Sequence, residues 1–305
     1  MRQVVVPGTQ RTVAVIGQGT WGVGLSRRNR SREVEALRLG VSLGMTLIDT
    51  AEFYSAGGAE EVVGDAVADC RDQVFLVTKV WPSNAGYAET LASVKQSLRR
   101  LHTDRIDAVL LHWPTRSVPL RETFRAFADL QRAGAVGAAG VSNFGPAWLR
   151  RAKDAAPSNG DIGRLAFNQV PYSLGHRQVE RAILPYAQQH GQVVMAYSPL
   201  GHGRMPAWRG YSALIEVAAA RGTTPAQIAL AFLTSRPGVV AIPKAVRPEH
   251  VRANAAAASI ALTPGELRRL ERAFPLGRAA EIPILPPYTV FFRLILWAAT
   301  LQIQR

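Results

Sequence analysis

The sequence predicts an α/β protein: a single-domain (β/α)8 barrel of the TIM type, entered through an N-terminal β-hairpin. Two observations carry that prediction. Eight short apolar runs recur along the 305 residues, with helical segments between them and no break in composition. Each run after the first also ends on polar or reactive side chains, spaced mostly by one strand–helix unit.

Taken in order, the runs are 13–17, 45–49, 74–79, 106–112, 138–143, 165–169, 192–198 and 239–244. Their near-continuous apolar character fits strands buried on both faces. The helices between them have legible starts. Ser31 is placed to cap a helix over 32–43, with Glu33 and Glu35 in its first turns. Thr224-Pro225 and Thr263-Pro264 each pair an N-cap residue with a proline at the first helical position, where a missing N–H costs nothing. The barrel is expected to occupy 1–282, followed by an atypical tail over 283–305.

Composition narrows the function classes. Apolar residues make up 48%, enough for a large core and too many for a disordered chain. The net charge of +14 is almost wholly arginine: four of the 36 basic residues are lysines, namely Lys79, Lys95, Lys153 and Lys244. No dense basic tract accompanies the charge, which points to an arginine-biased composition and away from a nucleic-acid partner. The lone cysteine, Cys70, allows neither an internal disulfide nor a cysteine metal site, and the six histidines show no paired ligand spacing, so no metal is expected. With no secretory leader pattern and no apolar stretch of membrane-spanning length, the expected location is cytoplasmic, without a transmembrane segment.

The strand ends carry the chemistry. Measured at Asp49, Lys79, His112, Ser142, Gln169, Tyr197 and Lys244, the gaps are 30, 33, 30, 27, 28 and 47 residues. A closed barrel gathers C-terminal strand ends at one mouth, where enzymes of this architecture keep their active sites. Gly17-Gln18-Gly19-Thr20-Trp21-Gly22 matches a dinucleotide fingerprint, but Ser31, its expected helix cap, lies nine residues past Gly22. The fingerprint requires a helix to begin at its glycines, so the segment is expected to be a barrel-mouth loop instead.

Asp49 and Tyr54 fall in one segment, and Lys79 ends the next run after Phe-Leu-Val-Thr. A buried ammonium requires a carboxylate, which Asp49 on the adjacent strand supplies. A compact ammonium also approaches a phenol closely, so Lys79 is expected to lower the pKa of Tyr54 from its ordinary value of about 10. His112, in Leu-Leu-His-Trp-Pro, completes a cluster able to hold a carbonyl oxygen. Trp21, Trp81 and Trp113 each follow a strand end and are expected to line an apolar substrate pocket.

Asp-Thr-Ala-x-x-Tyr, Val-Thr-Lys and Leu-Leu-His-Trp together resemble the catalytic tetrad of the aldo-keto reductases. Gly-Val-Ser-Asn-Phe at 140–144, Asn-Gln-Val at 168–170, Ala-Tyr-Ser-Pro-Leu-Gly at 196–201 and Ile-Pro-Lys at 242–244 match further motifs of that family in its order. The similarity runs over about 17–274, and the opening glycine segment looks most like bacterial members acting on small aldehydes and methylglyoxal. The resemblance implies an NADPH-dependent reductase of a small carbonyl substrate. In that reading Tyr54 is the proton donor, Lys79 and Asp49 tune it, and His112 orients the carbonyl. It also implies that Ser142, Asn143 and Gln169 bind the nicotinamide and that Tyr197 stacks on it. Ser198 and Leu200 flank the pyrophosphate, and Lys244 meets the adenosine 2′-phosphate. His250 and Asn254 belong to the same cofactor segment.

This chain departs from the family in places. Ser55 stands where a glycine is usual, and Ala245, His250 and Ala253 stand where many members carry Ser, Arg and Glu. Losing that arginine removes a permanent charge, so the expected NADPH preference is weakened, NADH becomes possible, and Arg247 or Arg252 is the candidate replacement. The family resemblance leaves an alternative, a nicotinamide-binding redox sensor acting through a protein partner. The expected assembly is a monomer or weak homo-oligomer. Within the apolar tail from Pro283, the run 289–303 is too short to span a bilayer and is interrupted by Arg293, and the tail is expected to pack on the barrel or a partner.

Overall fold

The computed structural model describes residues 1–156 and 165–277; the predicted tail over 283–305 lies outside them. The strands are β1 (Gln3–Val5), β2 (Thr12–Ala14), β3 (Gln18–Gly19), β4 (Leu47–Asp49), β5 (Phe75–Val80), β6 (Ile106–Leu111), β7 (Val136–Ser142), β8 (Phe167–Pro171), β9 (Val193–Tyr197) and β10 (Val239–Ala241). The helices are α1 (Arg30–Ser42), α2 (Gly58–Val67), α3 (Tyr87–Arg100), α4 (Leu120–Arg132), α5 (Pro146–Ala155), α6 (Ile183–Gln189), α7 (Tyr211–Ala220), α8 (Pro225–Thr234), α9 (Pro248–Ala257) and α10 (Pro264–Ala273).

Strands β3 to β10 form one parallel sheet in sequence order. Hydrogen bonds from Ala241 N to Val15 O, Gly17 N to Ala241 O and Gly19 N to Pro243 O join β10 to the chain entering β3 and close the barrel. Inside it, Leu47, Phe75, Val77, Ala108, Leu110, Ala138, Phe167, Val193, Met195 and Val240 pack as one cluster. Their neighbours Ile48, Leu76, Val109, Leu111, Val141, Val170, Val194 and Val239 pack in a second cluster with the helices. The runs that look uniformly apolar in the sequence thus alternate between two dry environments, as strands with side chains on opposite faces must.

The first predicted strand needs correction. The run 13–17 is split: Thr12–Ala14 pairs antiparallel with Gln3–Val5 in the expected hairpin, and the barrel strand proper is Gln18–Gly19. Val13 is apolar because it joins Val6 in the cluster that fills the barrel, so both halves of the run are buried for different reasons. Arg11 ties the hairpin to the barrel by an ion pair to Asp107 on β6. Asp107 also accepts from Arg71 at 2.8 Å and from Leu76 N at 2.8 Å.

Helix starts are mixed. Thr224 and Thr263 both form full capping boxes, with Gln227 and Glu266 as partners. Ser31 does not cap α1: a 3-10 turn over Arg27–Asn29 runs straight into the helix, leaving Ser31 inside its first turn. None of the described helices is long and apolar enough to cross a membrane.

Candidate active site

The inward stripe of strands β4 to β9, continued by two residues, delivers a polar group to the mouth. Leu47 leads to Asp49, Val77 to Lys79 and Leu110 to His112, with Gly140 leading to Ser142, Phe167 to Gln169 and Met195 to Tyr197. The side-chain period of two therefore keeps these residues on the face that fills the barrel, at the end where the apolar packing stops.

Lys79 is fully buried on β5 and donates to Asp49 Oδ2 at 2.8 Å, to Thr50 O at 2.6 Å and to the Tyr54 hydroxyl at 3.0 Å. All three ammonium protons are thereby used. Asp49 is held from a second side by Gln169 Nε2, which donates to Oδ1 at 2.6 Å. Burial pushes the Asp49 carboxyl up, and Lys79 opposes that shift. Burial pushes the Lys79 ammonium down, and Asp49 opposes it.

Tyr54 differs from expectation. Its pKa is raised well above the ordinary phenol value, first by burial and then by the charges of Asp49 and Tyr197. Lys79 does not reverse this, because its charge is already matched by Asp49 at contact distance. Tyr54 is therefore a neutral phenol with its proton in place, as a proton donor requires. His112 is neutral as well: burial, then the charge of Lys79, hold its imidazole well below the usual histidine value. Its Nδ1 is buried with no hydrogen-bond partner among the described residues.

Aromatic rings wall the cluster. Trp21 meets Tyr54 edge-on at 5.0 Å between centroids and is 40% exposed. Trp81 meets His112 edge-on at 5.2 Å and stacks on Phe53 at 4.0 Å. Trp113 is half-buried after His112; the ring contacts put Trp21 and Trp81, but not Trp113, against the tetrad.

The turn after Tyr54 explains one departure noted above. Ser55 sits at φ +53° and Ala56 at φ +52°, in the left-handed region that favours glycine. Ser55 Oγ donates to Val23 O at 2.5 Å, which anchors the strained turn.

Around the mouth, Ser142 Oγ donates to Gln169 O at 3.0 Å, while Asn143 N donates to the same carbonyl at 2.8 Å. Asn143 adopts φ +64°; its amide donates to His112 O and accepts from Tyr197 OH, both at 3.0 Å. Ser198 contacts His202 Nε2 at 2.7 Å, and Leu200 is half-buried on the following loop. Lys244 and His250 lie further round the rim, where a cavity of about 380 Å³ is lined by Gly22, Asn29, Arg32, Glu33 and the segment 244–247 with His250. Asn254 is buried on α9, four residues beyond His250. Arg247 belongs to this lining and Arg252 does not. Among the described residues no group of histidine, cysteine and carboxylate side chains is arranged to hold a metal ion.

Two acidic residues went unread as site residues in the sequence. Glu52 Oε1 accepts from Trp81 N at 2.6 Å and from Asn84 Nδ2 at 3.0 Å, and Oε2 accepts from Ser93, so it pins the loop that carries Trp81. Glu60, fully buried, accepts from Thr78 beside Lys79 and from Arg100 at 2.7 Å. Their place in the Asp-Thr-Ala-Glu and Gly-Gly-Ala-Glu segments was the available signal.

Comparison with known proteins identifies the family and agrees with the fold. The profile of the Aldo/keto reductase family matches residues 15–274. Methylglyoxal reductase YeaE of Escherichia coli is 43% identical over 266 residues, covering 87% of this chain and 92% of that protein. An aldo/keto reductase of Klebsiella pneumoniae crystallised with NADP and acetate superposes with a TM-score of 0.87 at 42% identity, covering 93% of this chain and all (100%) of the other. An aldo-keto reductase from the same organism in complex with NADPH gives 0.86 at 42% identity, with the same coverage of 93% and 100%.

Proposed function

The chain belongs to the aldo/keto reductase family of oxidoreductases, and on that premise we propose that it reduces small aldehydes and dicarbonyls such as methylglyoxal with NADPH. The observation that carries this reading is the buried chain of contacts from Asp49 through Lys79 to the hydroxyl of Tyr54.

The residues present fit the cofactor. A carboxamide needs donors and acceptors together, and Ser142, Asn143 and Gln169, gathered at the ends of adjacent strands, carry both types in side chains that now bond to one another and to their neighbours. A phosphate ester needs cations, and Lys244 and Arg247 share one cavity. In this reading Tyr197 lies along the nicotinamide, Ser198 and Leu200 border the pyrophosphate, and His250 and Asn254 complete the adenosine end. Bound NADPH supplies the hydride. NADH serves less well, because it leaves those cations without a phosphate.

The chain's own groups do the rest. In this reading Trp21 and Trp81 wall the carbonyl's side of the cluster and help to exclude water. Neutral His112 holds the carbonyl oxygen by an N–H and adds no charge that would repel the Lys79 ammonium. Tyr54 delivers its proton to that oxygen as negative charge builds there. The phenolate left behind lies 3.0 Å from Lys79 Nζ, whose ammonium stabilises it until a proton returns. The raised pKa keeps the free phenol protonated but makes it a weaker acid, and Lys79 offsets this by acting on the phenolate as it forms.

Tyr54→Phe tests the assignment, since it keeps the ring and its contact with Trp21. Loss of NADPH oxidation with methylglyoxal and a panel of aldehydes is expected, with the NADPH dissociation constant unchanged. Comparable turnover in the variant refutes the proton-donor role. Stoichiometric NADPH binding by the unaltered protein with no turnover on any carbonyl favours the sensor reading instead.

A further inference from the structure

The cavity beside Lys244 has a wall that the cofactor segment does not supply. Lys244, Ala245, Val246, Arg247 and His250 form one side, at the end of β10 and the start of α9. Arg32 and Glu33 of α1, with Asn29 and Gly22 before it, form the other. The two sides are held together because α1 packs against α9.

The charges on this lining are unbalanced. Arg32, Lys244 and Arg247 are exposed, and none of their side chains has an ion-pair or hydrogen-bond partner among the described residues. That sets Arg32 apart from Arg30 and Arg38 on the same helix, which pair with Asp65 and Asp69. The one carboxylate on the lining, Glu33, is buried and accepts from Gly24 N at 2.9 Å, so its charge is already engaged. Three cations from two elements around one cavity of about 380 Å³ form a receptor for a polyanion of phosphate size. Self-repulsion among them is relieved only when an anion enters.

Resting on the NADPH reading above, we propose that Arg32 is a third cation for the adenosine 2′-phosphate, reaching it from α1 across the cavity from Lys244 and Arg247. It supplies from another element the permanent guanidinium charge that His250 does not provide. A planar guanidinium also offers two parallel donors to phosphate oxygens, which a lysine cannot. NADP over NAD selectivity in this chain is therefore set jointly by the loop after β10 and by a helix far away in sequence.

The test measures NADP⁺ and NAD⁺ dissociation constants by quenching of intrinsic tryptophan fluorescence, for the full chain and for Arg32→Ala, Arg32→Lys and Lys244→Ala. Arg32→Ala is expected to weaken NADP⁺ about tenfold, the low end for a charge-assisted contact in an open cavity, and to leave NAD⁺ within twofold. Arg32→Lys is expected to recover part of the loss, and raised salt to shrink the difference. An unchanged NADP⁺ constant in Arg32→Ala, with Lys244→Ala weakened, overturns this proposal and leaves the NADPH reading standing. If the unaltered protein binds NADP⁺ no tighter than NAD⁺, the cavity is no 2′-phosphate site and both fall. Equal weakening of NADP⁺ and NAD⁺ in Arg32→Ala also overturns the proposal, since it marks a general effect on the fold.

Discussion

Asp49→Asn removes the counter-charge of Lys79 and keeps the side-chain shape. The ammonium is fully buried and would retain Thr50 O, Tyr54 OH and a neutral amide oxygen as acceptors, with no charge to match its own. Breaking a buried pair from one side costs about 3–5 kcal/mol. The folded variant can escape by releasing the proton of Lys79, and that route sets a ceiling. Holding a lysine of ordinary pKa neutral at pH 7 costs about 4.6 kcal/mol, and the cost falls by about 1.4 kcal/mol per pH unit. The sign follows from the direction of the shift. Burial already pushes Lys79 down, and the mutation removes the Asp49 charge that opposes it. Between the lowered folded value and the unfolded one, the unfolded chain binds more protons, so the variant gains stability as pH rises. Urea unfolding followed by tryptophan fluorescence at pH 7 and pH 9 checks this. The expected deficit against the unaltered protein is about 3–4.6 kcal/mol at pH 7 and no more than about 1.9 kcal/mol at pH 9. A deficit under about 1 kcal/mol at pH 7, or an equal deficit at both pH values, refutes the buried-charge reasoning.

Glu52→Ala frees the backbone N–H of Trp81 and lets the loop carrying that ring move. KM for the carbonyl is expected to rise about tenfold with kcat little changed, and stability to fall by about 1–3 kcal/mol for the unpaired donor. An unchanged KM would show that Glu52 does not position Trp81. The pH profile of kcat/KM is expected to lack any break near the ordinary histidine value of about 6.5, since His112 is held neutral and Tyr54 protonated. A break there that disappears in His112→Gln contradicts the neutral assignment. The same lowered His112 value makes stability decline as pH falls below about 6.5, where the unfolded chain accepts a proton that the folded one refuses. His112→Gln is expected to flatten that decline in thermal unfolding scans.

Much of the site is legible along the chain because the barrel turns a local rule into a global one. Side chains alternate along a strand, so a polar residue two positions beyond a buried apolar one emerges on the same inner face. Asp49, Lys79, His112, Ser142, Gln169 and Tyr197 obey this rule, and parallel strands in sequence order bring their ends to one mouth. The capping boxes at Thr224 and Thr263 were readable for a similar reason, since their partners lie three residues away.

Where burial has two possible causes, sequence alone fails to separate them. Val13 is apolar because it joins Val6 in the barrel-filling cluster, and its run looked like a barrel strand although half of it is hairpin. Ser31 had the right chemistry for a cap and was overtaken by a 3-10 turn that starts the helix sooner. The Asp-Thr-Ala-Glu segment marks Glu52 but not its role, because its partners Trp81, Asn84 and Ser93 come from a later strand end, turn and helix.

The order of the motifs determined the fold class and the family, and it picked out Asp49, Tyr54, Lys79 and His112 as the candidate cluster. Tertiary structure alone decided how those members are charged and what faces the adenosine end of the proposed cofactor site. A pKa is set by everything within a few ångströms, and at Tyr54 burial and the Asp49 charge outweigh the lysine that the sequence places beside it. The packing of α1 on α9 brings Arg32 to the same cavity as Lys244. No local pattern records that meeting, because charge acts across space and the chain separating the two residues spans most of the barrel.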